Sequence, residues 1–145
     1  MSTAPGSIRV LHVDDDRSFA ELTATFLERE DDRFSIEIET STDGALETLT
    51  DDRFDCLISD YDMPGKNGID FLEAVREDYP DLPFILFTGK GSEEVASEAI
   101  SAGVTDYLQK GTGTEQYTVL ANRVRNAVER ARAQTEQRRQ LNAIE

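Results

Sequence analysis

The sequence is poor in cysteine, in lysine and in long apolar runs. A single cysteine among 145 residues excludes a disulfide framework and any Cys-x-x-Cys metal site. No stretch reaches the roughly 18 apolar residues of a membrane-spanning helix, and no signal-peptide pattern follows Met1. Nine glycines and four prolines are too few for a fibrous or low-complexity protein. We therefore expect one soluble, cytoplasmic domain that does not bind a membrane.

Basic residues are scarce as well. The 15 lysines and arginines face 30 aspartates and glutamates, which gives a formal net charge of −15. This excess disfavours nucleic-acid binding by the domain, because such binding neutralises phosphates with basic side chains. Only Lys66, Lys90 and Lys110 are lysines. An acidic, lysine-poor chain indicates a halophilic cytoplasm, where salt screens charge repulsion beyond roughly 3 Å; an ordinary acidic protein is the alternative.

Strand and helix patterns alternate five times along the chain. Short apolar or alternating runs predict strands at 8–13, 34–39, 54–59, 83–87 and 104–109. Helical spacing predicts helices at 17–30, 42–51, 68–79, 92–102 and from 114 onward. Regular alternation with short loops predicts an α/β fold in which a five-stranded parallel sheet is doubly wound by helices on both faces. Residues 1–7 are predicted to be a flexible leader.

Polar residues follow four of these strands. They are Asp14-Asp15-Asp16, Asp60, Thr88-Gly89 and Lys110. The carboxyl ends of parallel strands share one edge of the sheet, where ligands bind at the reversal of strand order. We therefore expect carboxylates, a hydroxyl and an ammonium to meet at that edge.

This combination of groups has a specific chemistry. Carboxylates in close contact raise one another's pKa, and Mg²⁺ relieves their repulsion by binding their oxygens. A phosphoryl group could then be held by Thr88 and Lys110, with a carboxylate as the nucleophile that forms an aspartyl phosphate. Each residue taken alone is more often a turn residue, a helix cap or a solvated loop residue.

In this order, the motifs resemble the receiver domain of two-component response regulators, which has the CheY-like, flavodoxin-type fold. The residues that carry the resemblance are Val13-Asp14-Asp15-Asp16, Asp60-Tyr61-Asp62-Met63-Pro64-Gly65 with Gly68, Thr88-Gly89, and Tyr107 with Lys110. It covers about residues 8–130. It implies phosphorelay signalling in which a sensor histidine kinase or phosphotransfer protein supplies the phosphoryl group.

The resemblance also implies a role for each acidic residue. Asp60 would be the phosphoacceptor. Mg²⁺ would be bound by the carboxylates of Asp15 and Asp60, by the backbone carbonyl of Asp62 and, mostly through water, by Asp14. Asp16 matches no role in the family, and we interpret it as the N-cap of the first helix.

The remaining motif residues would act on the phosphoryl group. Thr88, Gly89 and Lys110 would bind its oxygens, and Thr88 and Tyr107 would form the conformational switch. Two further residues, Asp62 and Lys90, are predicted to control the access of water to the phosphorus.

One position departs from the family. A proline usually follows the lysine with a cis peptide between them, whereas Gly111 follows Lys110 here. A cis bond before a residue other than proline costs about 2.5–4 kcal/mol. We therefore expect a trans peptide and a rearranged loop at 111–113.

A phosphatase is the alternative function. Asp60-x-Asp62 also resembles the DxD nucleophile motif of haloacid-dehalogenase-type phosphatases, with Thr88 and Lys110 in supporting roles. In those enzymes the motif follows the first strand of the core, whereas here it follows the third. The favoured interpretation is therefore a signalling module rather than an enzyme, with only self-phosphorylation and slow self-dephosphorylation.

The last helix is predicted to continue past the domain. Its apolar stripe becomes polar beyond about residue 130, so residues 131–145 lack a face wide enough to pack on the sheet. The segment is either a frayed tail or a helical extension that leads to another module or forms a homodimer with the neighbouring face.

Two residues inside predicted strands receive ordinary interpretations. We expect His12 to be a core or interface histidine with its hydrogen bonds satisfied. Cys56 is expected to act as a small buried hydrophobic residue.

Overall fold

Five strands and five helices alternate in the computed structural model, which describes residues 6–89 and 91–144, the last without its side chain. The strands are β1 (Ile8–Val13), β2 (Phe34–Glu39), β3 (Cys56–Ser59), β4 (Phe84–Thr88) and β5 (Asp106–Gln109). The helices are α1 (Arg17–Glu30), α2 (Thr42–Asp51), α3 (Gly68–Asp78), α4 (Glu93–Ser101) and α5 (Glu115–Ile144). The predicted bounds of β1, α1, β2 and α2 are confirmed.

All strand pairs are parallel, and the strand order is β2-β1-β3-β4-β5. The edge position of β2 explains its alternating sequence, because only its inward residues need to be apolar. The order reverses between β1 and β3, whose last paired residues are Val13 and Ser59. The crevice for a ligand therefore lies beyond the carboxyl ends of these two strands.

Helices cover both faces of the sheet, as predicted. One core lies between the sheet and α2, α3 and α4, and its largest fully buried side chains include Phe71 and Phe84. The other lies between the sheet and α1 and α5, and it contains Leu27, Phe87 and Leu120. Each fully buried side chain of this size contributes about 1.5–3 kcal/mol from removing apolar surface from water.

Polar side chains cap the amino ends of four helices, α1, α2, α3 and α4. The Asp16 carboxylate accepts a hydrogen bond from the Phe19 amide at 3.1 Å, which confirms it as the N-cap of α1. Ser92 caps α4 through the Val95 amide, and Asn67 caps α3. These oxygens satisfy backbone N–H groups that have no partner inside the helix.

Two predicted strands are shorter than expected at their amino ends. β3 begins at Cys56 rather than at 54, because the first residue that pairs with β1 is Cys56, opposite Val10. β5 begins at Asp106 rather than at 104, because the Val104 amide donates to the Ala99 carbonyl and still closes the end of α4.

The helix α5 is continuous to its last described residue. Its last fully enclosed side chain is Val128, and the helix from 132 to 143 is exposed. Two arginines of this exposed part nevertheless contact the domain. Arg132 donates to the Ser7 carbonyl at 2.7 Å, and Arg138 lies 3.0 Å from the Asp81 carboxylate. No helix in the described part of the chain combines the length and apolarity that crossing a membrane requires.

A close backbone contact places the loop after β3 against α3. The Gly68 amide donates to the Tyr61 carbonyl at 2.8 Å. A Cβ atom at position 68 would lie 2.4 Å from the Asp60 carbonyl oxygen and 2.8 Å from the Tyr61 Cα. Only glycine allows this approach.

We expect Gly68→Ala to lower the free energy of unfolding by about 1–3 kcal/mol, because the methyl group would displace backbone rather than a flexible side chain. Urea denaturation followed by circular dichroism measures the change. Gly111→Ala is the matched control, since its nearest heavy atom would be 4.0 Å away in ordinary contact. Equal urea midpoints for the two variants would contradict the expectation.

Candidate functional site

Three carboxylates meet beyond the ends of β1 and β3. Asp14, Asp15 and Asp60 each place one carboxylate oxygen within 4.8 Å of those of the other two. Asp14 is fully buried and Asp60 nearly so, whereas Asp15 is exposed. The cluster therefore combines an enclosed inner pair with one carboxylate that faces solvent.

Backbone hydrogen bonds fix the inner pair. The Asp60 amide donates to the Val13 carbonyl at 3.0 Å, which places the residue after β3 beside the end of β1. Asp14 Oδ1 accepts from the Asp16 amide at 2.9 Å, and Asp60 Oδ1 accepts from the Tyr61 amide at 2.8 Å. The Oδ2 atom of each carboxylate is thus available for other partners.

Lys110 occupies the space between these two Oδ2 atoms. Its Nζ atom lies 3.1 Å from that of Asp14 and 3.4 Å from that of Asp60. It also lies 4.2 Å from the centre of the Phe19 ring, in the geometry of a cation–π contact. Burial raises the pKa of the Asp14 carboxyl, and the Asp16 amide and the Lys110 ammonium oppose that rise. The lysine is therefore an internal counter-ion of the cluster.

The predicted hydroxyl and switch residues lie on the two neighbouring strands. Thr88 is buried at the end of β4, and its carbonyl accepts from the Lys110 amide at 2.9 Å. Gly89 follows it and is exposed. Tyr107 on β5 packs against the core of α2, α3 and α4. Its hydroxyl is buried, and the described residues offer it no hydrogen-bond partner.

The structure describes one of the two residues predicted to control water access. Asp62 is exposed, two residues beyond Asp60 in the loop after β3. Lys90 lies outside the described residues.

The expectation that the hydrogen bonds of His12 are satisfied is wrong. The side chain is fully buried, and neither ring nitrogen has a hydrogen-bond partner among the described residues. The reason is the face it shares with the apolar Val10 and Ile58. Burial, together with the charge of Lys110, lowers the pKa of His12 to about 3. Cys56 is buried as expected, and burial raises the pKa of its thiol to about 12.

The loop after Lys110 contains a residue that sequence reasoning missed. The Lys110–Gly111 peptide is trans, as expected. The Gly111 amide donates to Gln116 Oε1 at 3.1 Å, and Gln116 Nε2 donates to the Gly113 carbonyl at 2.9 Å. A glutamine in the first turn of a helix has no sequence pattern that marks it as a loop partner.

The order of strands and the grouping of Asp14, Asp15, Asp60 and Lys110 can be compared with known families. A family model described as the response regulator receiver domain matches residues 10–122. The chain belongs to this family. Receiver domains are signalling modules of two-component systems, and they imply interaction with a histidine kinase or another phosphodonor. The comparisons do not support the phosphatase alternative.

Curated relatives of this receiver domain are longer regulators. The response regulator protein FleR of Pseudomonas aeruginosa is 38% identical over 103 residues, which are 70% of this chain and 21% of FleR. The transcriptional regulatory protein CpxR of Escherichia coli is 39% identical over 102 residues, which are 70% of this chain and 42% of CpxR. The chain thus spans between a fifth and two fifths of the length of these relatives.

Solved structures share the receiver fold. A CheY-like receiver domain from Methanospirillum hungatei has a TM-score of 0.79 at 23% identity, covering 89% of this chain and 99% of that one. The chemotaxis response regulator CheY4 of Vibrio cholerae has a TM-score of 0.73 at 30% identity, covering 81% of this chain and 98% of that one.

Proposed function

We propose that this receiver domain accepts a phosphoryl group on Asp60 from a phosphohistidine of a sensor kinase or phosphotransfer protein. The observation that carries the proposal is the position of Asp60 Oδ2, 3.4 Å from Lys110 Nζ and inside a cluster of three carboxylates. A carboxylate placed beside a cation and at an open edge of the sheet suits attack on phosphorus.

The transfer needs only groups that this protein and the phosphodonor supply. An Asp60 carboxylate oxygen forms a bond to phosphorus, the bond from phosphorus to the kinase imidazole breaks, and the imidazole leaves with the electron pair and takes up a proton. The Lys110 ammonium and the Thr88 hydroxyl would hold two of the phosphoryl oxygens, and the Gly89 amide would approach the group beside Thr88. These donors oppose the negative charge that is spread over the oxygens during transfer.

The donor set fits Mg²⁺. Oxygen atoms of Asp14, Asp15 and Asp60 lie within 4.8 Å of one another, and the exposure of Asp15 leaves room for the water ligands that Mg²⁺ retains. We assign the carboxylates of Asp15 and Asp60 and the Asp62 carbonyl as direct ligands, with Asp14 mostly acting through water. When bound, the ion would neutralise charge on the phosphoryl oxygens and on the attacking carboxylate.

The consequence of phosphorylation would pass through Thr88 and Tyr107. Thr88 ends the strand next to β5, and Tyr107 lies on β5. If the Thr88 hydroxyl turns to the phosphoryl group, the space beside it changes and the tyrosine can repack. The buried Tyr107 hydroxyl supports this role, since a polar group without a partner is readily drawn to a new one.

Three further properties belong to the proposal. The net charge of −15 with three lysines supports a halophilic, cytoplasmic setting in which salt screens repulsion. Residues 8–130 would form the receiver unit, and most of the leader predicted at 1–7 lies outside the described residues. Residues 131–145 would be a helical linker, supported by the exposed but helical end of α5, and a homodimer would use α5 and its neighbouring face.

Acetyl phosphate or phosphoramidate with Mg²⁺ should add one phosphoryl group to the wild-type protein, detectable by intact-protein mass and labile to hydroxylamine. Asp60→Asn should abolish the mass shift, because an amide is not a nucleophile toward phosphorus. Asp62→Asn is the control, since it removes a nearby exposed charge and retains the backbone carbonyl. A hydroxylamine-labile shift that persists in Asp60→Asn would place the phosphoryl group on another residue. Sustained turnover of p-nitrophenyl phosphate would instead favour the phosphatase.

Asp15→Asn should weaken Mg²⁺ binding by at least tenfold in a calorimetric titration at fixed monovalent salt, because it removes an anionic ligand of the cation. Asp16→Asn offers a matched control one residue away. It removes the same charge and keeps a side chain that caps α1. The metal assignment is wrong if both variants bind Mg²⁺ equally.

The lifetime of the aspartyl phosphate depends on a water in line with phosphorus. We expect Lys90→Ala to accelerate its hydrolysis, because Lys90 and Asp62 are proposed to obstruct the approach of that water. The decay of phosphorylated protein at matched salt measures this, with Lys66→Ala as the control for loss of a loop lysine. An unchanged or slower decay in Lys90→Ala would show that the lysine does not block the water.

A further inference from the structure

The loop from β5 to α5 carries Lys110 at its beginning, and a single side chain bridges it. Gln116 Oε1 accepts a hydrogen bond from the Gly111 amide at 3.1 Å, and Gln116 Nε2 donates a hydrogen bond to the Gly113 carbonyl at 2.9 Å. Gln116 is half-buried, whereas residues 111–114 are all exposed. The bridge therefore spans the loop from the helix side.

The loop needs such a bridge because its sequence has little stiffness. Gly111 and Gly113 flank its centre, and Gly113 has a φ of +81°, a conformation that glycine adopts without strain. A Cβ at position 113 would meet nothing within 4 Å. Neither sterics nor burial restrict this part of the chain, so its hydrogen bonds have a large share in its order.

The bond from Gly111 bears directly on the lysine. The Gly111 N–H lies in the same rigid peptide plane as the Lys110 carbonyl. A hydrogen bond to that N–H fixes the orientation of the plane and with it the ψ angle of Lys110. The amide on the other side of the residue is fixed by its bond to the Thr88 carbonyl. The two bonds together orient the Cα–Cβ bond of the lysine.

We propose that Gln116 is a positioning residue of this receiver domain, which holds Lys110 in reach of Asp14 and Asp60 by closing the loop that follows it. The proposal rests on the proposed transfer of a phosphoryl group to Asp60. Lys110 Nζ lies 3.1 and 3.4 Å from the two carboxylates, and a displacement of about 1 Å at a reacting centre is enough to slow chemistry strongly. Gln116 contacts neither carboxylate in the hydrogen bonds described, so it acts through the lysine.

Gln116→Ala should slow phosphorylation by phosphoramidate in Mg²⁺ about threefold to tenfold, the loss expected from one or two hydrogen bonds. Its affinity for Mg²⁺ should stay within twofold of wild type or increase, because Lys110 is not a metal ligand. Gln116→Glu keeps an acceptor for the Gly111 amide and should retain most of the rate at high salt. Gln137→Ala, the same change on the exposed part of α5, should leave the rate unchanged.

A double-mutant cycle separates this role from general stabilisation. In a Lys110→Ala background, Gln116→Ala should cause no further loss of rate, because the group it positions is gone. An equal loss in both backgrounds would overturn the proposal. So would a wild-type rate in Gln116→Ala, a rate in Gln116→Glu as slow as in Gln116→Ala, or a fall in Mg²⁺ affinity that matches the fall in rate.

Amide hydrogen exchange tests the loop without phosphorylation. The Gly111 amide should exchange faster in Gln116→Ala than in wild type, while the Lys110 amide, bonded to Thr88, changes less. If the wild type accepts no phosphoryl group but Gly111 exchange responds in this way, the proposed function fails and the loop closure stands. If Gly111 exchange is unaffected, the bridge is absent in solution and the role of Gln116 is refuted.

Discussion

The ammonium of Lys110 between Asp14 and Asp60 is the interaction on which the functional edge of this protein depends. A buried carboxylate loses its hydration, and only a nearby opposite charge or hydrogen-bond donors can replace it. Asp14 is fully buried and therefore needs such a partner. Lys110 follows β5, so its side chain must extend past the ends of β4 and β3 to contact Asp14, which follows β1. The strand order makes this reach short, because β4 and β5 follow β3 in sequence along the sheet. The strand order thus brings the lysine to the two carboxylates whose charge it balances.

The hydrophobic pattern was sufficient to predict the sheet and most element bounds. The spacing of apolar residues along the sequence differs between the strands and the helices of this chain. Caps such as Asp16 and Ser92 mark where helices begin. The grouping of Asp14, Asp15, Asp60 and Lys110 could also be predicted, because residues after parallel strands share an edge regardless of side-chain detail. Recognition of the family motifs then supplied a role for each residue.

Other features could not be read from the sequence, for physical reasons. His12 lies in an apolar strand, and its sequence neighbours do not reveal whether a polar group on another element reaches its ring. Gln116 contacts Gly111 and Gly113 only because the loop turns back on the helix, which depends on backbone conformation rather than on residue pattern. The contact of Arg138 with Asp81 joins positions 57 residues apart on different elements. Such contacts follow from the assembled fold.

The helix α5 joins a part that is packed in the core to a part that is exposed. Its 30 residues correspond to about 45 Å at 1.5 Å per residue, and it begins at the edge of the sheet that carries Lys110. Buried side chains hold the helix to the domain as far as Val128. The segment from 129 to 144 is about 24 Å long at 1.5 Å per residue, so a tilt of this segment by about 10° would move its end by about 4 Å. The ion pairs of Arg132 and Arg138 with Asp55 and Asp81 oppose such a tilt, but exposed pairs contribute only about 0–1 kcal/mol each. The direction of this segment is therefore held by weak ion pairs, whereas the first half of the same helix is held by the core.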